Sequence, residues 1–201
     1  FSPHGQAFSA AALIVLFFIV FSLFMFAYFK THPLLSTLLF NRAQYRRLLE
    51  MNALVVQELE KLDDSFFVFH NITIELFHVE HLVISPGGLF IVKKFAQECD
   101  LRAVDGTLCS GERPLDTLTA GLWRSCHLVA IMMKKSFHIE IMPRPVIVTA
   151  PGTRAPFSEF DGIIITAPGS LHELLASSGA KIQREIVESF AYYLKGRYIR
   201  G

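Results

Sequence analysis

The first 29 residues contain no lysine, arginine, aspartate or glutamate, and the chain as a whole has only three cysteines, one tryptophan and a net charge of +1. Each scarcity excludes something. A near-neutral balance of 19 basic against 18 acidic residues removes any whole-chain electrostatic case for nucleic-acid binding. Cys99, Cys109 and Cys126 form an odd set with no CxxC spacing, so neither a disulfide framework nor a zinc ribbon is expected, and free thiols in a reducing compartment fit best. The missing charge at the start is matched by an apolar run. From Phe8 to Phe29 only Ser9 and Ser22 interrupt apolar residues. The remainder, at about 22 % charged, has the balance of an ordinary globular domain.

Twenty-two helical residues rise about 33 Å, enough for a hydrocarbon core of about 30 Å. The stretch Phe1–Ala7 has no Lys or Arg, only His4, and the run is too long for a cleaved secretory signal, so a retained transmembrane anchor within residues 1–32 is expected. Lys30, Arg42, Arg46 and Arg47 follow the run and none precedes it. The positive-inside rule then gives a single-pass inner-membrane protein whose C-terminal domain is cytoplasmic. Arg46 and Arg47 read first as contacts to anionic lipid heads, and second as part of a nucleic-acid patch with Lys134 and Lys135.

Beyond the anchor, residues 33–63 read as juxtamembrane helices: a short one from Pro33 to Phe40, then one over 41–62 carrying Tyr45, Leu48, Leu49, Val55, Val56 and Leu59 at helical spacing. Asp63-Asp64-Ser65 ends it. The folded domain, 64–201, opens with β-branched and aromatic strands at 66–70, 72–76, 79–85 and 89–94, with Pro86-Gly87-Gly88 as a turn. The sequon Asn71-Ile72-Thr73 reads as strand sequence on a cytoplasmic domain. Leu101–Val104, Asp105-Gly106 and Thr107–Cys109 signal a hairpin. A helix from Pro114 to about Lys135, strands at 145–150 and 162–167, a capping box Ser170-Leu171-His172-Glu173 opening a helix to 177, and a last helix over 180–195 complete a mixed α/β order.

Within that order the segment Val79-Glu80-His81-Leu82-Val83-Ile84-Ser85-Pro86-Gly87-Gly88-Leu89-Phe90-Ile91-Val92-Lys93-Lys94-Phe95 resembles the central hairpin of the nuclease-related domain (NERD) family, which belongs to the restriction-endonuclease-like fold. The family's usual pattern there is an apolar residue, Asp-His, three apolar residues, a Gly/Pro turn and a strand ending in Glu-x-Lys. The likeness continues through Arg113-Pro114-Leu115-Asp116-Thr117, Pro145-Val146-Ile147-Val148, Ile163-Ile164-Ile165-Thr166 and Ser170-Leu171-His172-Glu173-Leu174-Leu175, covering about residues 42–177. The individual motifs are degenerate, and their order and spacing carry the resemblance. It implies an α/β domain with a restriction-endonuclease-like mixed sheet flanked by helices.

In that fold a strand carboxylate and the Glu of Glu-x-Lys hold Mg²⁺ or Mn²⁺ against the scissile phosphate, and the Lys organises the attacking water. Here the Asp position is Glu80, but the Glu position is Lys93 and the Lys position is Phe95. Shifting by one residue supplies Lys94 for the Lys yet leaves Val92 for the Glu, so neither register restores the pair. The Gln expected in the later helix is Thr117, and the acid that members often carry in the first helix has no clear counterpart, although Glu58 lies on that helix. The resemblance thus implies a non-cleaving domain with no cofactor. If cleavage survives, Glu80 is the metal ligand, Lys93 or Lys94 the phosphate contact and Glu58 the residual acid.

Three other constellations are weaker. His78, Glu80 and His81 do not share one face of a regular strand, and Cys126-His127 are helix neighbours that point apart. Tyr192, Tyr193 and Tyr198 with Lys195, Arg197 and Arg200 can stack on and neutralise nucleic acid, or simply form an amphipathic helix end. The expected function is a membrane-anchored binding or scaffold subunit of an assembly, with DNA or protein transfer as one setting. The alternatives are a tethered metal-dependent nuclease and a nucleic-acid binder using Lys93, Lys94, Arg46 and Arg47.

Overall fold

The computed structural model describes residues 15–25, 42–179 and 181–198. It divides into two compact units, residues 1–49 and 50–201. In the first, residues 15–25 are helical and the apolar side chains from Val15 to Phe24 are exposed. Among the described residues no helix is long and apolar enough to cross a membrane. The expected anchor, 8–29, extends outside the described residues on both sides, and the short helix expected over 33–40 lies wholly outside them.

The first unit ends inside helix α1 (Arg42–Leu59), whose Met51, Val55 and Leu59 recur every four residues and are buried. Nine further elements, six strands and three helices, build the main layers of the described domain. Strands β1 (Phe67–Ile74), β2 (Phe77–Ser85) and β3 (Gly88–Phe95) form an antiparallel meander. A small sheet follows, of β4 (Leu101–Val104), β5 (Thr107–Ser110) and β6 (Arg113–Pro114). Its first turn has positive φ at both Asp105 (49°) and Gly106 (75°), the backbone a two-residue hairpin requires. Helix α2 (Asp116–Phe137) then leads to β7 (Arg144–Thr149), β8 (Glu159–Phe160), β9 (Ile163–Thr166) and helices α3 (Leu171–Ala176) and α4 (Arg184–Tyr198). The main sheet has the order β1-β2-β3-β7-β9-β8, with β3, β7 and β9 parallel and the outer pairs antiparallel.

The sheet is apolar on both faces, as its near-continuous runs of Val, Ile, Leu and Phe require. On one face Leu82, Ile84, Leu89, Ile91, Phe95 and Ile147 pack with α2 (Leu122, Cys126, Val129, Met133) and α4 (Val187, Phe190, Leu194). On the other, Val83, Phe90, Val92, Val146 and Val148 pack with Met51, Val55 and Leu59 of α1 and Leu171 and Leu175 of α3. This is a mixed α/β domain with helices on both faces of a six-stranded sheet.

Several boundaries differ from the sequence reading. The strands expected at 66–70 and 72–76 are one strand, β1, ending before a turn at Glu75. Pro114 closes β6 rather than opening the helix, which begins two residues later. Ser170 makes no side-chain cap to α3: a 3₁₀ turn over Pro168–Ser170 precedes it, and its carbonyl at Pro168 already takes the Leu171 N–H. The last helix runs on to Tyr198.

One irregularity positions the site. Asn71 adopts φ 51°, and the register between β1 and β2 skips its partner Glu80. Phe67 and Phe69 before the skip, and Ile72 and Ile74 after it, all face the α2 and α4 layer. On β2 the same switch separates Val79 from Leu82 and Ile84. Glu80 and His81 therefore sit where the alternation of faces reverses.

Candidate functional site

Lys94 is the hub. In β3 the residues Leu89, Ile91 and Phe95 face α2, whereas Phe90, Val92 and Lys94 face α1, because successive side chains alternate. The Lys94 side chain is only 10 % exposed. Its Nζ donates to Asn52 Oδ1 of α1 (2.8 Å) and lies 3.1 Å from Glu80 Oε2 and 3.3 Å from His81 Nε2 of β2. The Lys94 backbone N–H also donates to Glu80 Oε2, at 3.3 Å. An ammonium has three hydrogens and no lone pair, and here it meets three acceptors.

The array continues across the meander. His81 Nδ1 lies 2.8 Å from Nδ1 of His70 in β1, with the rings edge to face. Because Lys94 can only donate, His81 Nε2 accepts and its proton is on Nδ1, which donates to His70 Nδ1. His81 is fully buried, and that burial pushes its pKa down to about 3, with the Lys94 ammonium and the neighbouring His70 and His78 acting in the same direction. Burial and then Lys94 also lower His70, against an opposing pull from Glu60. Both rings are neutral at pH 7.

The expected site residues are thus only partly brought together. Glu80 and Lys94 form one ion pair, while Lys93 points to the opposite face. There it lines a cleft of about 120 Å³ with His78, Glu80, Gly121, Leu122 and Ser125. Glu58 is buried on α1, where its carboxylate takes Lys61 as partner. Arg46 and Arg47 are exposed on the part of α1 belonging to the first unit. Phe95 and Val92, standing where the family pattern has charge in one register or the other, are core residues on opposite faces.

Two members of the array were not singled out as site residues. Asn52 stands three and seven residues before Val55 and Leu59, so it is a polar side chain on the apolar stripe of α1, a signal present in the sequence. His70 gave no local signal, since its role depends on the strand pairing that places it opposite His81.

The donor set does not fit a divalent cation. Mg²⁺ asks for several oxygen ligands at about 2.0–2.1 Å, and the array offers one carboxylate and one amide oxygen, both already engaged by an ammonium. Among the described residues no group of three His, Cys, Asp or Glu could hold a metal ion. Cys126 and His127 do not form a nucleophile and base: the thiol is buried, which pushes its pKa up to about 12, and His127 Nδ1 binds the Trp123 carbonyl. Arg197 lies over the rings of Tyr193 and Tyr198 and pairs with Glu75, and Arg200 lies outside the described residues.

Comparison with protein-family models, with curated proteins and with solved structures finds no match for the chain.

Proposed function

We propose that this chain is a membrane-anchored, cytoplasmically oriented domain of the NERD-like, restriction-endonuclease-like class that has exchanged a metal centre for an internal ammonium. It works by binding, as a subunit of a membrane-associated assembly. The observation that carries the reading is Lys94: its three donors meet Asn52, Glu80 and His81, so positive charge is supplied by the chain at the strand ends where such nucleases hold a cation. The order helix, three-stranded meander, helix and parallel strand supports the fold assignment. The anchor rests on the apolar run 8–29 and on the basic residues that follow it.

The test incubates the full chain in mild detergent with plasmid and single-stranded DNA in Mg²⁺ or Mn²⁺, beside Glu80→Ala. No divalent-dependent cutting by either protein is expected, and stable partners should co-purify from membranes. Cutting that disappears in Glu80→Ala overturns the non-cleaving reading. Salt-sensitive DNA retention that weakens in Lys93→Ala would identify nucleic acid, through the cleft on the α2 face, as what is bound.

A further inference from the structure

The two edges of the main sheet are protected differently. At one edge β8 is two residues long and carries an exposed glutamate, Glu159. At the other, β1 is eight residues long and, among the described residues, pairs on one side only. A long edge of this kind is ordinarily blunted by Lys, Pro or inward charge. Phe66 to Ile74 contains no Lys, Arg, Asp, Glu or Pro. Beside it runs an open groove of about 360 Å³ lined by Phe67, Val68, Phe69, Ala191, Tyr192 and Lys195. Tyr192 is 67 % exposed at its rim.

We infer that β1 pairs with β1 of a second copy, antiparallel and centred on Val68, to make a two-fold dimer with one continuous sheet. The groove is complementary to itself. A two-fold axis through Val68 sets Phe67 opposite Phe69 of the second copy, and both belong to the α4 side of the sheet. With no charged side chain on the strand, self-pairing brings no like charges together.

The helices agree with this arrangement. Helix α4 packs on both β1 and β2. With strands about 4.8 Å apart, a helix over the midline of β1 and β2 stands about 10 Å from its symmetry mate, the ordinary spacing of packed helices. The mates run antiparallel, and a two-fold passing between the groove residues Ala191 and Tyr192 places Glu188 of one copy opposite Lys195 of the other. Glu188 Oε1 is held by Arg184, which leaves the second carboxylate oxygen to accept from the lysine. A foreign extended peptide would meet the same edge, but nothing in the groove beyond Lys195 would select it.

The experiment uses the full chain in detergent. Sedimentation should give a dimer at micromolar concentration, and Val68→Lys should raise the dimer's dissociation concentration at least tenfold. Because Val68 also packs partly against the core, surface charges supply a second arm: Lys195→Glu should weaken the dimer and adding Glu188→Lys should restore it. In a Cys99→Ser background, mild oxidation should link Val68→Cys to itself and leave Thr73→Cys unlinked. A monomeric wild type overturns the proposal. So does a dimer indifferent to both Val68→Lys and the charge swap, which would belong to the N-terminal apolar segment, and so does a monomer that gains stability on adding an extended peptide.

Discussion

Lys94 and Glu80 form an ion pair at 3.1 Å between adjacent strands, with side chains only 10 % and 22 % exposed. Both charges depend on each other, since removing one partner leaves the other partly desolvated and Asn52 without its donor. Lys94→Met should lower the unfolding free energy by about 2 kcal/mol, less than for a fully enclosed pair because Glu80 keeps some water. Glu80→Gln should cost less, because the amide oxygen still accepts from the ammonium. Urea denaturation of the two single variants and the double should show coupling of about 1 kcal/mol or more. Additive losses would mean that the pair is not a unit.

His81 makes stability depend on pH with a definite sign. Its native pKa lies near 3, whereas the unfolded ring titrates near 6.5. Between those values the unfolded chain binds the extra proton, so stability is full above about pH 6.5 and falls as pH drops toward 3. The lowered His70 acts in the same direction. One ring of this kind contributes a loss of about 2 kcal/mol between pH 7 and pH 5. His81→Asn should reduce that difference when unfolding is measured at both pH values. A difference as large as the wild type's would place the acid sensitivity elsewhere.

The layers were legible because they follow from periodicity. Leu48, Val55 and Leu59 announced a helix with one buried face, which also takes in Met51, and Asp105-Gly106 announced a hairpin whose positive φ values the turn then shows. The strand break expected at Asn71 was misplaced for a physical reason. Asn tolerates a left-handed backbone inside a strand, so the chain reverses its faces there without ending the ladder. That reversal also hid the site. A regular alternation puts Glu80 and His81 on opposite faces, and only the switch at residue 80 lets both reach Lys94 from β2. The choice of register on β3 was likewise undecidable from sequence, since Lys93 and Lys94 are equally plausible strand-end lysines. Packing of Phe95 and Val92 into opposite cores decides that Lys94 joins the array and Lys93 faces the cleft.

The three thiols should separate cleanly by reactivity. Cys99 is exposed, Cys109 is buried with its Sγ on the Thr107 carbonyl, and Cys126 is fully buried with its pKa pushed up to about 12. The thiolate is the reactive form, so burial limits access at both buried thiols and, at Cys126, also keeps the thiol protonated. With a chromogenic disulfide at pH 8, one thiol per native chain should react rapidly and the other two only on denaturation. Cys99→Ser should remove the fast phase. A second fast thiol would mean that the small sheet around Cys109 opens readily.

Gly87 tests how the meander is fastened to the chain that leads into α4. The turn carbonyl of Pro86 accepts from the backbone N–H groups of Lys181 (2.6 Å) and Ile182 (3.0 Å), so the turn between β2 and β3 holds the segment before α4. A Cβ on Gly87 would overlap the backbone carbonyl of Ser178, an atom that cannot rotate away as a side-chain tip would. Its φ lies outside the left-handed region, so Gly87→Ala carries no backbone penalty and isolates the steric effect. The expected loss is about 1–3 kcal/mol of stability, the range for overpacking a tight site. Hydrogen exchange should speed up at Lys181 and Ile182 more than at residues of β7, whose hydrogen bonds do not involve the turn. Uniform acceleration across the sheet would show instead that the turn and the domain open as one unit.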